Sequence, residues 1–481
     1  MTLLTKSKYM SGLQCTKLLW HANRKELPEP TLTDQHKFNQ GSEFEKYAHN
    51  LFENTINLSN YSFVDNLKYS KEHLNDGKTI FEAGFTIDDL YIRADILQPH
   101  KDEYMLYEIK STNDYKDEHI EDLAYQKYVL GKKGIKIYKT FVIHLNKDFK
   151  KKGEINPKEL CKVDDLTEEV NNIKGIEGAI RELKNTLMKI ESPKVSIGKH
   201  CNKPYDCPLK PICWDYLPEN NIFLLTNWRV YWKLFEEGIL DLKDIPKNTK
   251  ISDVDSVIIE STLKNKIYNS KEHIKHFLKS LNYPLYHFDF ETFQTAVPIF
   301  NNSKPWQQIP FQYSVHIEQE DGSVEHKEFL AESDDDPRIE MLKQMKKDLD
   351  GTGDIIVFNK SFEITRLKEM AEDFPEHKDW IDDVIPRIID LALPFQKYYY
   401  YDPKQKGKYS IKSVLPVLTE KSYENLIINN GGDASAQFFY SHIKNELNNK
   451  QEIRKNLFKY CSLDTEGMIW IIKELKNSIK K

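Results

Sequence analysis

No apolar run in this 481-residue chain is long enough to span a bilayer, and the mean hydropathy of −0.64 is that of a polar chain, so no membrane partner is expected. The opening stretch MTLLTKSKYMSGLQC places lysines where a secretory leader must be apolar, and no signal peptide is expected. Internal repeats, low-complexity tracts and long Gly/Ser linkers are absent, which predicts two to four domains that pack rather than swing on tethers. An excess of positive charge is missing as well: the formal net charge is −6, which argues against coating nucleic acid by bulk attraction. Local patches such as KDFKKKGEINPK and KHCNKP can still meet phosphates, although such runs are more often solvated loops. Aromatic residues make up 12% of the chain, too many to single out a stacking platform for a single strand.

Against these absences stand two sets of acidic residues about two hundred positions apart. The first is Asp95 in YIRADIL, followed by Glu108 and Lys110 in MLYEIKST. Both stretches alternate as half-buried strands do, so Asp95 is predicted to end one strand of a hairpin while Glu108 and Lys110 share a face of its partner. Two carboxylates and an ammonium then converge, a group suited to holding Mg²⁺ or Mn²⁺ and to hydrolysing phosphodiesters. An acid and a lysine two apart are commonplace in a chain that is 30% charged; the order Asp, Glu-x-Lys, then the helix-like HIEDLAYQKYVL carrying Gln126 is what raises the signal.

That order resembles the RecB-like branch of the PD-(D/E)XK nucleases, in which a glutamine on the helix after the catalytic strand supports the site. GSEFEKYAHNLF resembles the branch's first helix; where a histidine often binds metal, this chain has Glu45, with Glu43 and His49 as weaker candidates. Cysteine is scarce, six in all. Four of them, Cys15 and the evenly spaced Cys201, Cys207 and Cys213 in HCNKPYDCPLKPICW, read as a metal-binding loop. Zinc and a four-cysteine iron–sulfur cluster both need such thiolates. The resemblance to iron–sulfur exonucleases of the RecB superfamily favours [4Fe–4S], with zinc as the alternative. Cys161 and Cys461 lack partners at such spacing and read as packing residues. Thiols arranged for metal rather than for bridges imply a reducing cytoplasm.

The second set begins at YPLYHFDFETF, where Asp289 and Glu291 alternate with Phe288 and Phe290, so that the carboxylates share one strand face and the rings the other. GDIIVFNKSFEITRLKEMAEDF reads as a buried strand ending at Phe358, a turn, and a helix with Glu363 in its first part. LFKYCSLDTEGMIWIIKEL reads as an amphipathic helix with Tyr460 and Asp464 four apart on one face. Acids inside a hydrophobic strand are rare unless paired or metal-bound. GKYSIKSVLPVL, between these motifs, suggests no independent chemistry.

Residues 281–481 resemble the tyrosine subclass of the DEDD exonucleases on a ribonuclease H-like fold. The resemblance implies two metals held by Asp289, Glu291, Glu363 and Asp464, with Tyr460 placing the attacking water. The third ligand of that family is usually aspartate, and Asp390 is the runner-up here. Residues 218–280, with a helical period through Leu224, Trp228, Tyr231 and Leu234, read as a connector of two to four short helices. The expected architecture is therefore an α/β multidomain chain: a PD-(D/E)XK core with its four-cysteine cluster over 1–217, the connector, and the exonuclease domain. The whole resembles a bacterial family, known as a domain of unknown function, that fuses a RecB-like iron–sulfur nuclease to a DnaQ-like exonuclease. This implies cleavage of DNA ends or single strands, 3′-to-5′ at the second centre. The alternatives are an RNA-directed exonuclease, or a nucleic-acid-binding protein with one or both centres inactive. A helicase companion, and a repair or defence pathway, are left open.

Overall fold

The structure is a computed structural model in which residues 2–480 are described. The chain divides into two compact units, one comprising Met1–Tyr216 with Thr295–Gln307, the other Leu217–Gln294 with Gln308–Lys481. Residues 218–280 thus fall within the second unit. The fold is mixed α/β, with one large sheet in each unit.

In the first unit, β1 (Leu4–Thr5) leads into α1 (Lys6–Gln14), and α2 (Leu32–His49) precedes β2 (Thr55–Asn57), β3 (Thr79–Ile87), β4 (Leu90–His100) and β5 (Glu103–Lys110). Helix α3 (Asp117–Lys132), β6 (Ile137–Leu145) and β7 (Cys161–Asp165) follow. The sheet order is β2-β3-β4-β5-β6-β7, with β1 added to β4. The pleat sends alternate residues to opposite faces. Ile80, Phe85, Ile92 and Ala94 pack with Leu123 and Val129 of α3, while Phe81, Ile96, Tyr107 and Ile143 pack with Phe44 and Ala48 of α2. Both faces of the sheet are thus covered by helices, although β4 and β5 alternate in sequence as half-buried strands do.

One expectation needs correction here. Asp95 does not end its strand, because β4 continues to His100. What ends beside Asp95 is the β4–β5 ladder, whose pairing runs from His100↔Glu103 to Ile96↔Tyr107. Farther back along β4 the edge is taken by β1, at Leu4↔Leu90 and Thr5↔Tyr91. The strands part where the acids lie.

In the second unit, α4 (Trp228–Glu236), α5 (Asp253–Lys264), the short β8 (Tyr268–Asn269) and α6 (Lys271–Lys279) come first. They are followed by β9 (Leu285–Phe293), β10 (Ile309–Glu318), β11 (Val324–Leu330), α7 (Pro337–Asp348), β12 (Ile355–Val357), α8 (Lys360–Asp373), β13 (Ile388–Asp390) and β14 (Tyr400–Tyr401), which pairs with β8. Helices α9 (Ile411–Thr419), α10 (Gly431–Phe438) and α11 (Lys450–Ser478) complete the unit. The expected helical stripe from Leu224 to Leu234 is broken, since Leu224 lies in a separate 3₁₀ turn and Trp228 opens α4 at 46% exposure, its ring against the Arg229 guanidinium. Trp232 and Leu234 are the buried residues of α4.

The sheet order is β11-β10-β9-β12-β13; β10 is antiparallel to both neighbours, and β12 is parallel to β9 and β13. Phe288, Phe290, Tyr313 and Val315 face an apolar core with Met341, Leu342 and Met345 of α7 and Leu367 and Met370 of α8. The other face is polar, with His287, Asp289 and Glu291 of β9 opposite His316, Ser314 and Gln312 of β10. Helix α11 is fixed over it by Thr465, whose hydroxyl is 2.8 Å from both Ser314 Oγ and His316 Nδ1. Gly353 lets the chain entering β12 pass the Pro284 carbonyl, which a Cβ would meet at 1.8 Å.

At the margin of the apolar layer, against the Phe374 ring, lies a fully buried cation. Arg338 donates to Asp373 Oδ2 at 2.6 Å and to Asp336 at 2.7 and 2.9 Å, tying α7 to the end of α8. Arg338→Ala leaves the Asp373 carboxylate buried without that partner, and is expected to destabilise the fold by about 3–5 kcal/mol, read from the urea midpoint.

Candidate functional site

The first cluster forms where β4 and β5 part. With no partner on β4 beyond Tyr107, the Ile109 N–H donates instead to Asp95 Oδ2 at 2.7 Å. Glu108, buried at 1% exposure, accepts from Lys110 Nζ at 2.6 Å and from Gln126 Nε2 at 2.6 Å. Two residues that sequence reasoning missed complete the group. Asp122, one turn before Gln126 on α3, accepts from Gln126 at 2.9 Å and from Lys110 at 2.9 Å. Lys6, the first residue of α1, reaches Glu108 Oε1 at 2.8 Å and Asp95 Oδ1 at 3.4 Å. Asp122 had a signal, its (i, i+4) spacing from Gln126; Lys6 had none, since only the placement of β1 on β4 brings it here.

These charges decide one another's protonation. Burial opposes ionisation of Glu108, but Lys110 and Lys6 outweigh it and hold the carboxyl well below the usual range. Asp95 is pushed up to about 7 by burial and then by Glu108. Glu82, in register with Asp95 between the flanking pairs Phe81↔Ile96 and Ala83↔Ala94, is pushed by burial to about 7. Glu45 lies close enough to Asp95 to be raised by it after burial, so α2 brings this carboxylate towards the group; Glu43 instead pairs with Lys46 on the surface, and His49 stacks on Phe81.

The cysteines of this unit are all free. Cys201 closes a 3₁₀ turn and Cys213 a one-turn helix, so the segment is less a plain loop than its prolines suggest. Gln14 Nε2 donates to the carbonyls of His200 and Tyr205 at 2.9 and 2.7 Å, which draws Cys15 to this segment. The thiol of Cys207 is pushed up by burial and then by Cys15, Cys201 and Cys213, so this sulfur lies within electrostatic reach of the other three. Cys161 is buried at the start of β7.

The second cluster lies on the polar face beneath α11. Asp289 is half-buried, and Glu291, Glu363 and Asp464 are 7%, 2% and 6% exposed. Burial raises all four carboxyls. Asp289 is raised further by Asp464, Glu291 and Glu363, and Glu291 by Asp464; Glu363 goes to about 8 and Asp464 to about 6. The cation opposing Asp289, Glu291 and Asp464 is Lys412 of α9, whose Nζ lies 5.0 Å from the centre of the Tyr460 ring, while Arg366 opposes Glu363. The segment GKYSIKSVLPVL, whose residues suggest no independent chemistry, thus brings one positive charge to this cluster. Tyr423 Oη donates to Asp464 Oδ1 at 2.5 Å, a partner no local pattern announces. Tyr460 is buried, and burial and then Asp464 keep its hydroxyl protonated. Glu363 Oε2 is buried with no hydrogen-bond partner. The runner-up, Asp390, accepts from the backbone N–H groups of Asn359, Lys360 and Ala392, and so caps α8. Cys461, expected to be a packing residue, is fully buried with its sulfur within 4.8 Å of carboxylate oxygens of Asp289 and Glu291.

Residues 286–410 match the model of a domain of unknown function, DUF2779. The chain is similar to uncharacterized protein MG366 of Mycoplasma genitalium, 31% identical over 40% of this chain and 32% of the relative. It is also similar to uncharacterized protein UU173 of Ureaplasma parvum, 30% identical over the same shares. The match spans about a third of the length of these relatives. A solved structure titled "Crystal structure of SSO0001" aligns with 43% of this chain and 95% of its own at 13% identity and a TM-score of 0.19, and carries no argument.

Gln126 is the neutral donor joining Glu108 to Asp122. Gln126→Leu removes both bonds without removing a charge and is expected to cost about 1–3 kcal/mol, read as a lower urea midpoint.

Proposed function

We propose that this protein is a divalent-metal-dependent nuclease with two hydrolytic centres acting on nucleic acid, with DNA ends or single strands as the favoured substrate. The observation that carries the reading is the second cluster, four buried carboxylates gathered from β9, α8 and α11, three of them opposed by Lys412. Such mutual repulsion in a low-dielectric pocket is relieved when cations enter. The partnerless Glu363 Oε2 and the all-oxygen character of the four acids fit Mg²⁺ or Mn²⁺.

Asp289, Glu291, Glu363 and Asp464 would hold the ions, which lower the pKa of a water and offset charge on the phosphate. The chain's own residues do the remaining work. Tyr423 fixes Asp464 by its hydrogen bond and leaves the other oxygen free. Tyr460, kept protonated one turn away on α11, offers a donor for orienting a water. The sheet order β11-β10-β9-β12-β13, three antiparallel strands and two parallel ones, supports a ribonuclease H-like fold; 3′-to-5′ polarity rests on the resemblance alone.

In the first unit the mixed sheet, with α3 supplying Gln126 behind the parted strands, supports a PD-(D/E)XK core. Asp95, Glu108 and Glu45 would hold the ion, and Lys110 orients water or offsets charge. Lys6 already bridges Asp95 and Glu108 with its ammonium, so an ion entering there displaces it. That observation favours a second reading in which only the second centre cleaves. Cys15, Cys201, Cys207 and Cys213 would carry a [4Fe–4S] cluster, or zinc, as a staple across the unit; four free thiols, with Cys207 in electrostatic reach of the other three, fit either.

Asp289→Asn is expected to reduce release of nucleotides from the 3′ end of labelled single strands by about a hundredfold or more, and Lys110→Ala to remove a separate activity. Both variants degrading DNA and RNA oligomers as wild type does, with Mg²⁺ or Mn²⁺, overturns the proposal; loss in Asp289→Asn alone selects the one-centre reading. Protein purified without oxygen is expected to absorb in the visible through thiolate-to-iron charge transfer, and a colourless zinc-containing protein overturns the iron–sulfur assignment.

A further inference from the structure

We infer that Cys461 makes the carboxylate pocket of the second unit a site for a thiophilic divalent cation, Zn²⁺ or Cd²⁺, held by Asp289, Glu291 and the Cys461 sulfur. The inference rests on the pocket's being a metal site, and adds which ions it holds most tightly. Oxygen ligands alone suit hard ions, and one sulfur among them shifts preference towards soft ones.

Three ligand atoms, one from each residue, already lie within 4.8 Å of one another. Zinc–sulfur and zinc–oxygen bonds of ordinary length at a tetrahedral angle put two such atoms about 3.6 Å apart. Closure by about 1 Å is within reach of side-chain rotation. The backbone positions are firm: Asp289 and Glu291 are mid-strand on β9, and Cys461 sits four residues before Thr465, which fixes α11 to β10. A second and independent sign of a cation is the buried Glu363 Oε2, without a hydrogen-bond partner and close enough to Asp289 to raise its pKa. On binding, the S–H bond breaks, its proton leaves to bulk water and a sulfur–metal bond forms. A thiophilic ion seated there excludes Mg²⁺ and Mn²⁺ from the two carboxylates.

The test is ¹¹³Cd NMR on the full chain, which separates ligand sets by chemical shift. Wild type is expected to show a mixed sulfur–oxygen resonance that disappears in Cys461→Ser, Cys461→Ala and Asp289→Asn, while circular dichroism and a cooperative urea transition retained in all three report that the variants are folded. In parallel, Cd²⁺ is expected to displace bound Mn²⁺, followed by EPR, at concentrations about tenfold lower in wild type than in Cys461→Ser. A mixed-ligand resonance that survives in the Cys461 variants, or equal displacement curves, overturns the inference while Mn²⁺ binding upholds the pocket as a metal site. Failure of both Mn²⁺ and Cd²⁺ to bind there overturns the inference and the metal reading together.

Discussion

Carboxylates that share a buried pocket repel one another, and the second unit is built so that four of them have to share one. Strand β9 contributes two because its pleat puts Phe288 and Phe290 into the apolar layer and Asp289 and Glu291 on the opposite face. Helix α11 closes over that face through Thr465 and brings Asp464 down onto it. The energy that holds the acids together comes from elsewhere, from the apolar layer beneath the sheet and the Arg338 ion pairs at its margin. Stability supplied on one face is what permits electrostatic strain on the other.

The first unit treats the same problem differently. Its acids sit where a ladder ends, so Asp95 is held by a backbone N–H and Glu108 by two ammonium groups and an amide. Two ammonium groups there touch the carboxylates directly, whereas in the second unit Lys412 opposes Asp289, Glu291 and Asp464 and Arg366 opposes Glu363. An entering cation therefore relieves repulsion at the second centre and competes with Lys6 at the first. On the proposed reading, the two clusters differ in metal affinity for this reason alone.

What could be read from the sequence was local. Alternation around Asp289 and Glu291, the four-residue step from Tyr460 to Asp464, and the strand-turn-helix around Glu363 each depend on neighbours within a turn or a pleat, and each appears at its expected place. Lys6 lies 102 residues from Glu108, and Tyr423 lies 41 from Asp464. No period connects such pairs; only the parallel pairing of β1 with β4, or the packing of α11, makes them neighbours. Asp95 was misplaced at a strand end because the residues of YIRADIL carry no sign that β5 leaves the ladder while β4 continues.

The choice between Glu363 and Asp390 turns on a helix end rather than on either acid's own motif. Asn359, before α8, has φ of +82° and makes no side-chain cap, so the first N–H groups of α8 lack the local acceptor that helices ordinarily supply. Asp390, arriving on the parallel neighbour β13, accepts from the N–H groups of Asn359 and of Lys360, the first residue of α8, and is thereby held at the helix terminus. An aspartate engaged in three backbone hydrogen bonds is poorly placed to turn towards Asp289. Glu363 lies one turn into α8 with a longer side chain and one oxygen lacking any partner. On the proposed reading Glu363 therefore supplies the third carboxylate, while Asp390 serves the helix.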